Sequence, residues 1–309
     1  MAAATLATPA VAAPAQPQMA APASRISWTA CSEAELEGMQ CGTLRVPVDY
    51  AHPHAGSLSL ALVRRPADDQ AHRQGALLLN DGAGGSSIEQ LRLAMRIGFP
   101  SFAGAMSRNF DLVAVDPRGV GHSTPIRCTT PLKPAGVTHF PHSQAEFDTL
   151  VAHNRAFAAD CLRKNGPMVA HTDLTSTARD FEAVCTGLGE KQLNWYGIHY
   201  STLLGRTYTH LYRGRLRTMV LDTALDDTLV AAGTPVHGAP PALILQSTHQ
   251  ALAPHSAGFA MAAQLPGSVV LSREGDDYSM FLLSLCVRDA TNRYLTTRAL
   301  PAPGTTCTD

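Results

Sequence analysis

The sequence predicts an α/β protein with a mostly parallel sheet flanked by helices. Short apolar runs recur after residue 40, stretches with helical periodicity separate them, and the buried runs end in Asn or Asp close to glycines. A run that is apolar at every position needs cover on both faces of its sheet. Helices crossing between parallel strands supply that cover.

The elements follow in order along the chain. "TLRVPVDY" (43–50) and "LSLALVRR" (58–65) read as early strands, and "ALLLN" (76–80) and "FDLVAVD" (110–116) as buried ones. Helical spacing marks "SIEQLRLAMRIG" (87–98), "QAEFDTLVAHNRAFAADCLRKNG" (144–166) and "STARDFEAVCTGLG" (176–189), whose Gly187 or Gly189 suits a C-cap. The strand "QLNWYG" (192–197) then runs into the helix "YSTLLGRTYTHLYR" (200–213). Strands "RTMVLD" (217–222), "PALILQ" (241–246) and "SVVLS" (268–272), with helices at 256–265 and 281–295, complete the alternation. Between Asp227 and Pro241 the chain is rich in Gly and Pro and long enough only to bridge two parallel strands, so no inserted domain fits there.

The chain has 309 residues, 45% hydrophobic and 16% charged, enough for one sizeable core, and a single domain over 25–309 is expected. Residues 1–24 are mostly Ala and Pro and read as a flexible leader or the remnant of an export signal. A net charge of -1 offers no basic field for nucleic acid, and no apolar run reaches the roughly 18 residues of a membrane span. The expected partner is a small-molecule substrate or ligand. "NDGAGG" (80–85) is no nucleotide signature without GKS or GxGxxG, so no cofactor is expected.

Of seven cysteines, Cys31 and Cys41 flank a short loop, Cys128 and Cys161 bracket the segment between a strand and a helix, and Cys286 and Cys307 close the tail. Three bridges and one spare thiol, Cys185, fit a secreted or extracytoplasmic protein. Metal binding is the rival reading, but no CxxC or HxxxH pair supports it.

The segment "GIHYS" (197–201), after a strand and before a helix, matches the geometry of the GxSxG turn but not its chemistry. Its tip is His199, Gly197 is kept, and Ser201 stands where the second glycine would be. In "DPRGVGHSTP", Asp116, Arg118 and Gly119 read as turn-forming residues and His122 as a loop residue.

With "CGTLRVPVDYAHP", "LLLNDGAGG", "FDLVAVDPRGVGHSTP", "NWYGIHYSTLLGRTYTHLYRGRLRTMVLD" and "SLCVRDATNRYL", the chain resembles the secreted tripeptidyl aminopeptidases, proline-iminopeptidase-like α/β-hydrolases. The resemblance implies an α/β-hydrolase fold, a Ser/Asp/His site, a lid after the sixth main strand, and disulfides at the three cysteine pairs. Residue by residue, the nucleophile position holds His199, the acid position Gln250 in "QALAP", and the histidine position Tyr278 in "EGDDYS". The lid is missing, and the glycine-rich oxyanion turn is shortened around Ala83.

Three functions follow from these residues. The first is a non-hydrolytic acid/base enzyme of lyase, cyclase or isomerase type on a small carbonyl compound, which the hosts of the resembled family would place in secondary metabolism. In it a neutral His199 is the base, Tyr278 and Gln250 assist, and the Tyr200 N–H with Gly82, Ala83, Gly84 and Ser201 lines the oxyanion or substrate site. The second is a catalytically silent ligand-binding protein. The third is a residual esterase or peptidase using Ser201 with His249 or His255 and Asp226 or Asp227. A homodimer would cover the site that a missing lid leaves open.

Overall fold

The computed structural model describes residues 25–80, 85–97, 105–226 and 235–309. The chain begins with β1 (Ser27–Ala30), β2 (Gln40–Pro47) and β3 (Ser57–Arg65), then β4 (Ala76–Asn80), α1 (Ser87–Arg96), α2 (Ala105–Asn109) and β5 (Asp111–Val115). After α3 (Gln144–Asn165) and α4 (Leu174–Gly187) come β6 (Leu193–Ile198), α5 (Tyr200–Leu211), β7 (Leu216–Asp222) and β8 (Leu243–Ser247). The chain ends with α6 (His255–Gln264), β9 (Val269–Arg273), α7 (Met280–Leu283), α8 (Leu285–Thr297) and β10 (Thr306–Cys307).

All the strands among the described residues share one sheet, in the order β1-β2-β3-β5-β4-β6-β7-β8-β9-β10. The pairs from β1 to β5 are antiparallel, and from β5 through β4 to β10 every pair is parallel. Alternate residues of each central strand feed two cores. Leu78, Trp195, Met219 and Ile244 pack on one face with Phe181 of α4, Tyr208 of α5 and Met261 of α6. Leu77, Tyr196, Val220 and Leu243 pack on the other with Leu91 of α1, Phe281 of α7 and Tyr294 of α8. That two-sided burial is why these strands are apolar at every position.

The cysteine pairs close as Cys31–Cys41, Cys128–Cys161 and Cys286–Cys307, and Cys185 is free and buried. Six cysteines are thereby withdrawn from metal binding. Two strands escaped the sequence reading: β1, four residues long and mostly exposed, and β10, two residues after a Pro-rich turn. Each lies beside a disulfide at an edge of the sheet. The last helix is interrupted at Ser284, whose hydroxyl accepts from Val287 N at 3.1 Å and caps a fresh start for α8.

"DPRGVG" is structural, as its composition indicated. Arg118 forms a fully buried pair with Asp180 of α4 at 2.6 Å, while Asp116 accepts from Ser86 Oγ at 2.8 Å and His122 N at 2.8 Å. Among the described residues no helix is long and apolar enough to cross a membrane. β7 and β8 are joined by residues 223–242, too few for an inserted domain. In register, Asn80 of β4 faces Gly197 of β6, and Ile198 faces Asp222 of β7, so the carboxyl ends of the central strands form one ledge. Ligands of open parallel sheets bind at such an edge.

Candidate functional site

The ledge is shaped by the turn from β6 into α5. Gly197 is required by close approach: a Cβ there would lie 2.8 Å from Ser201 O and 2.5 Å from Trp195 Nε1. At the tip, His199 adopts φ 53 and ψ -115, a backbone conformation sparsely populated by non-glycine residues. Three hydrogen bonds hold it there: His199 N–H donates to Asp222 O at 3.0 Å, and its carbonyl accepts from Thr202 N at 2.9 Å and Thr202 Oγ1 at 2.6 Å.

The imidazole itself is partly buried. Its Nδ1 is enclosed and has no hydrogen-bond partner among the described residues. The ring meets Tyr200 edge-on at 4.9 Å between centroids and lies tilted against Tyr278 at 5.5 Å. Burial pushes the His199 pKa below the ordinary histidine value. The neutral ring expected from the helix N-terminus therefore holds, with loss of solvent as the cause.

Beside this turn opens a cavity of about 290 Å³. Its floor is Leu79, Tyr196 and Ile198 from the strand ends, one wall is the apolar stripe of α1, and Tyr278, Ser279 and Phe281 close the other side. The stripe is the amphipathic face that "SIEQLRLAMR" presents, with Leu91 at its centre.

Behind the cavity lies a carboxyl group that sequence reading took only as the end of a strand. Asp222 is fully buried and accepts from Tyr196 Oη at 2.6 Å, Thr223 Oγ1 at 3.2 Å, Met280 N at 3.2 Å and Phe281 N at 3.3 Å. Desolvation pushes its pKa up against those donors. Thr223 Oγ1 also accepts from Ser279 N at 3.2 Å. Thr223 (φ 58) and Ser279 (φ 62), like His199, have positive φ, so three strained non-glycine residues meet around one carboxyl group. The signal available in sequence was Asp222 itself, an acid closing the apolar run Met219–Leu221.

Not all the expected residues come together. His199 and Tyr278 are neighbours, but Gln250 does not join them: its amide donates to Asp276 O at 2.7 Å and its carbonyl accepts from Leu252 N at 3.0 Å. Gln250 thus ties two loops together, because both of its polar ends find nearer backbone partners. Ser201 is likewise corrected: it is 1% exposed, lies under the turn against Gly197, and its hydroxyl has no partner among the described residues. His249 pairs with Glu274 at 3.0 Å and His255 with Ser272 Oγ at 2.9 Å, so neither serves Ser201. Tyr200 opens α5, where the first N–H groups have no acceptor within the helix. Gly82, Ala83, Gly84 and Asp227 lie outside the described residues.

Comparison with known proteins gives this geometry its kinship. Residues 224–307 match a family model described as TAP-like protein. A tripeptidyl aminopeptidase of Streptomyces coelicolor is 37% identical over 193 residues, 61% of this chain and 35% of that protein. The serine protease Hip1 of Mycobacterium tuberculosis is 31% identical over 222 residues, 69% of this chain and 41% of its own, and a carboxylesterase B of the same species is 37% identical over 221 residues, 65% and 40%. The chain thus spans less than half the length of these relatives. A solved structure described as a hydrolase from Agrobacterium vitis S4 superposes with a TM-score of 0.50 at 12% identity, covering 83% of this chain and 97% of that one. By fold and by kinship the chain is a TAP-like α/β-hydrolase-fold protein, with tripeptidyl aminopeptidases and Hip1 among its homologues.

Proposed function

We propose that the chain binds a small organic molecule in the cavity beside His199 and does not run a serine-hydrolase reaction. One observation carries this reading. The turn that offers a nucleophilic hydroxyl in hydrolases of this fold is fully built here, yet its tip is an imidazole, while Ser201 is buried beneath it without a histidine partner. Gln250 and Tyr278, at the acid and histidine positions of the resemblance, complete a replaced triad, and without one only residual catalysis remains. The relatives are named as peptidases and esterases, so the reading is a departure from them. The three disulfides support an oxidising, extracytoplasmic setting.

A second reading, acid/base turnover of a carbonyl compound, is favoured by the neutral imidazole with an unpartnered Nδ1 beside a phenol. None of the relatives named above is a lyase or cyclase. A neutral reporter, N-phenylnaphthylamine, separates the possibilities. It should bind one per chain with enhanced fluorescence, Leu91→Trp should abolish binding by filling the cavity, and p-nitrophenyl esters should turn over no faster than with Ser201→Ala. No saturable binding, or ester hydrolysis that Ser201→Ala removes, contradicts the proposal. Exchange of ketone α-protons with solvent deuterium that disappears in His199→Ala would promote the second reading.

A further inference from the structure

A second cavity opens at the opposite edge of the sheet, at the amino ends of β7, β8 and β9, and shares no lining residue with the one beside His199. Its volume of about 410 Å³ lies within the roughly 300–1,000 Å³ of ligand sites. Leu216 opens β7, Pro240 and Pro241 lead into β8, and Tyr294, Arg298 and Leu300 come from α8 and the turn after it. At a rise of about 3.3 Å per residue, the seven residues of β7 set this edge roughly 20 Å from the ledge.

The charge of this cavity is unbalanced. Arg217 and Arg298 both line it, and no Asp or Glu is among its described lining residues. Elsewhere a buried or half-buried guanidinium has an acid beside it: Arg118 has Asp180, Arg73 has Asp111 and Glu190, and Arg215 has Glu182. Arg217 instead donates to four neutral acceptors, Asn194 Oδ1 at 3.0 Å, Gln74 Oε1 at 2.8 Å, Leu295 O at 2.8 Å and Thr296 O at 3.3 Å. These bonds lock the guanidinium against the carbonyl end of α8 and leave its Nε–H without a partner among the described residues. Loss of solvent pushes the Arg217 pKa below its ordinary value, and the like charge of Arg298 pushes it the same way.

Arg298 adds an independent observation. It ends α8 at φ 64, in the left-handed conformation where glycine is the usual residue. Its side chain is exposed and makes no hydrogen bond or ion pair among the described residues. The partial negative charge at the end of α8 offsets only about half of one positive charge, so a surplus remains. Tyr294 fixes the frame around it, its hydroxyl donating to Pro241 O at 2.6 Å and accepting from Met219 N at 3.0 Å. The rest of the wall is largely apolar, with Leu216, Ala239, Pro240, Pro241 and Leu300.

We infer that this cavity binds a small organic acid, its carboxylate paired with Arg298 and the Arg217 Nε–H and its apolar body against Pro240, Pro241 and Leu300. The donors left free suit the two oxygens of a carboxylate better than the three of a phosphate. The site is independent of the binding role proposed for the ledge.

Isothermal titration calorimetry of the full chain with 2-naphthoate, 2-naphthamide and inorganic phosphate tests the assignment. Naphthoate should bind one per chain, at least tenfold more tightly than the uncharged amide of the same shape or than phosphate, and more weakly as salt is raised. Arg298→Gly, which suits the left-handed backbone, should melt no lower than the parent chain and lose roughly tenfold or more of the naphthoate affinity, the range of a charged hydrogen bond. Arg298→Lys, which keeps the charge, should recover part of that loss. No saturable naphthoate binding, naphthamide binding as tightly as naphthoate, or undiminished affinity in Arg298→Gly overturns the assignment. Phosphate binding as tightly as naphthoate would show a site for inorganic anions and overturn the organic acid. None of these results bears on N-phenylnaphthylamine at the ledge.

Discussion

His199 is where burial, charge and backbone strain meet. Its folded pKa lies below the ordinary 6.5 because the ring is desolvated, so between that lowered value and 6.5 the unfolded chain holds a proton that the folded chain does not. Stability should therefore be undisturbed by this residue above about pH 6.5 and fall as pH drops below it. In urea titrations from neutral pH to about pH 5, His199→Gln should lose less stability than the parent chain. Equal losses would show the ring to be as solvated folded as unfolded. Cys185 makes a second residue-level case. Its thiol is buried beside Glu190 O at 3.4 Å and its pKa is pushed up to about 12, so a maleimide should leave the native chain unmodified and label one site after denaturation without reductant. Rapid native labelling contradicts this burial.

At the scale of elements, Arg118 is a hub. It bonds Asp180 of α4, Val48 O at 2.8 Å and His171 O at 2.9 Å, tying the loop after β5 to the end of β2 and the start of α4. Asp180→Ala would leave a buried guanidinium unpaired and should cost about 3–5 kcal/mol in denaturant unfolding, against little change if the pair were solvent-exposed. The elements themselves were legible wherever burial was two-sided: β4 and β5 are apolar at nearly every position because helices cover both faces. β1 and β10 were not, since β1 is mostly exposed and β10 is only two residues long, and each is held at a sheet edge beside a disulfide. α3 shows the opposite case. Local helical propensity and the Ser143 cap, accepting from Glu146 N at 3.2 Å, announce the helix, although only Asp160 and Cys161 of it are buried.

For the whole molecule, the turn and its tip could be read from "GIHYS" because a strand, a glycine and a helix must be close in sequence to make it. Asp222, Thr223 and Ser279 could not, because their meeting depends on the register of β6 and β7 and on how α7 packs across the strand ends. Gln250 was misread for a related reason. Its position in the resemblance says nothing of the two backbone groups, Asp276 O and Leu252 N, that claim its amide. The molecule that results keeps the scaffold and the ledge of a hydrolase while presenting an imidazole and an apolar cavity at the working edge. Intact-mass analysis after incubation with a fluorophosphonate, which forms a covalent adduct only with an activated hydroxyl, bears on this most directly. The native chain should show no added mass; one phosphonyl group per chain, mapped to Ser201 or another serine of the ledge, would mean that a working nucleophile exists and that the serine-hydrolase reaction was not lost with the hydroxyl at the turn.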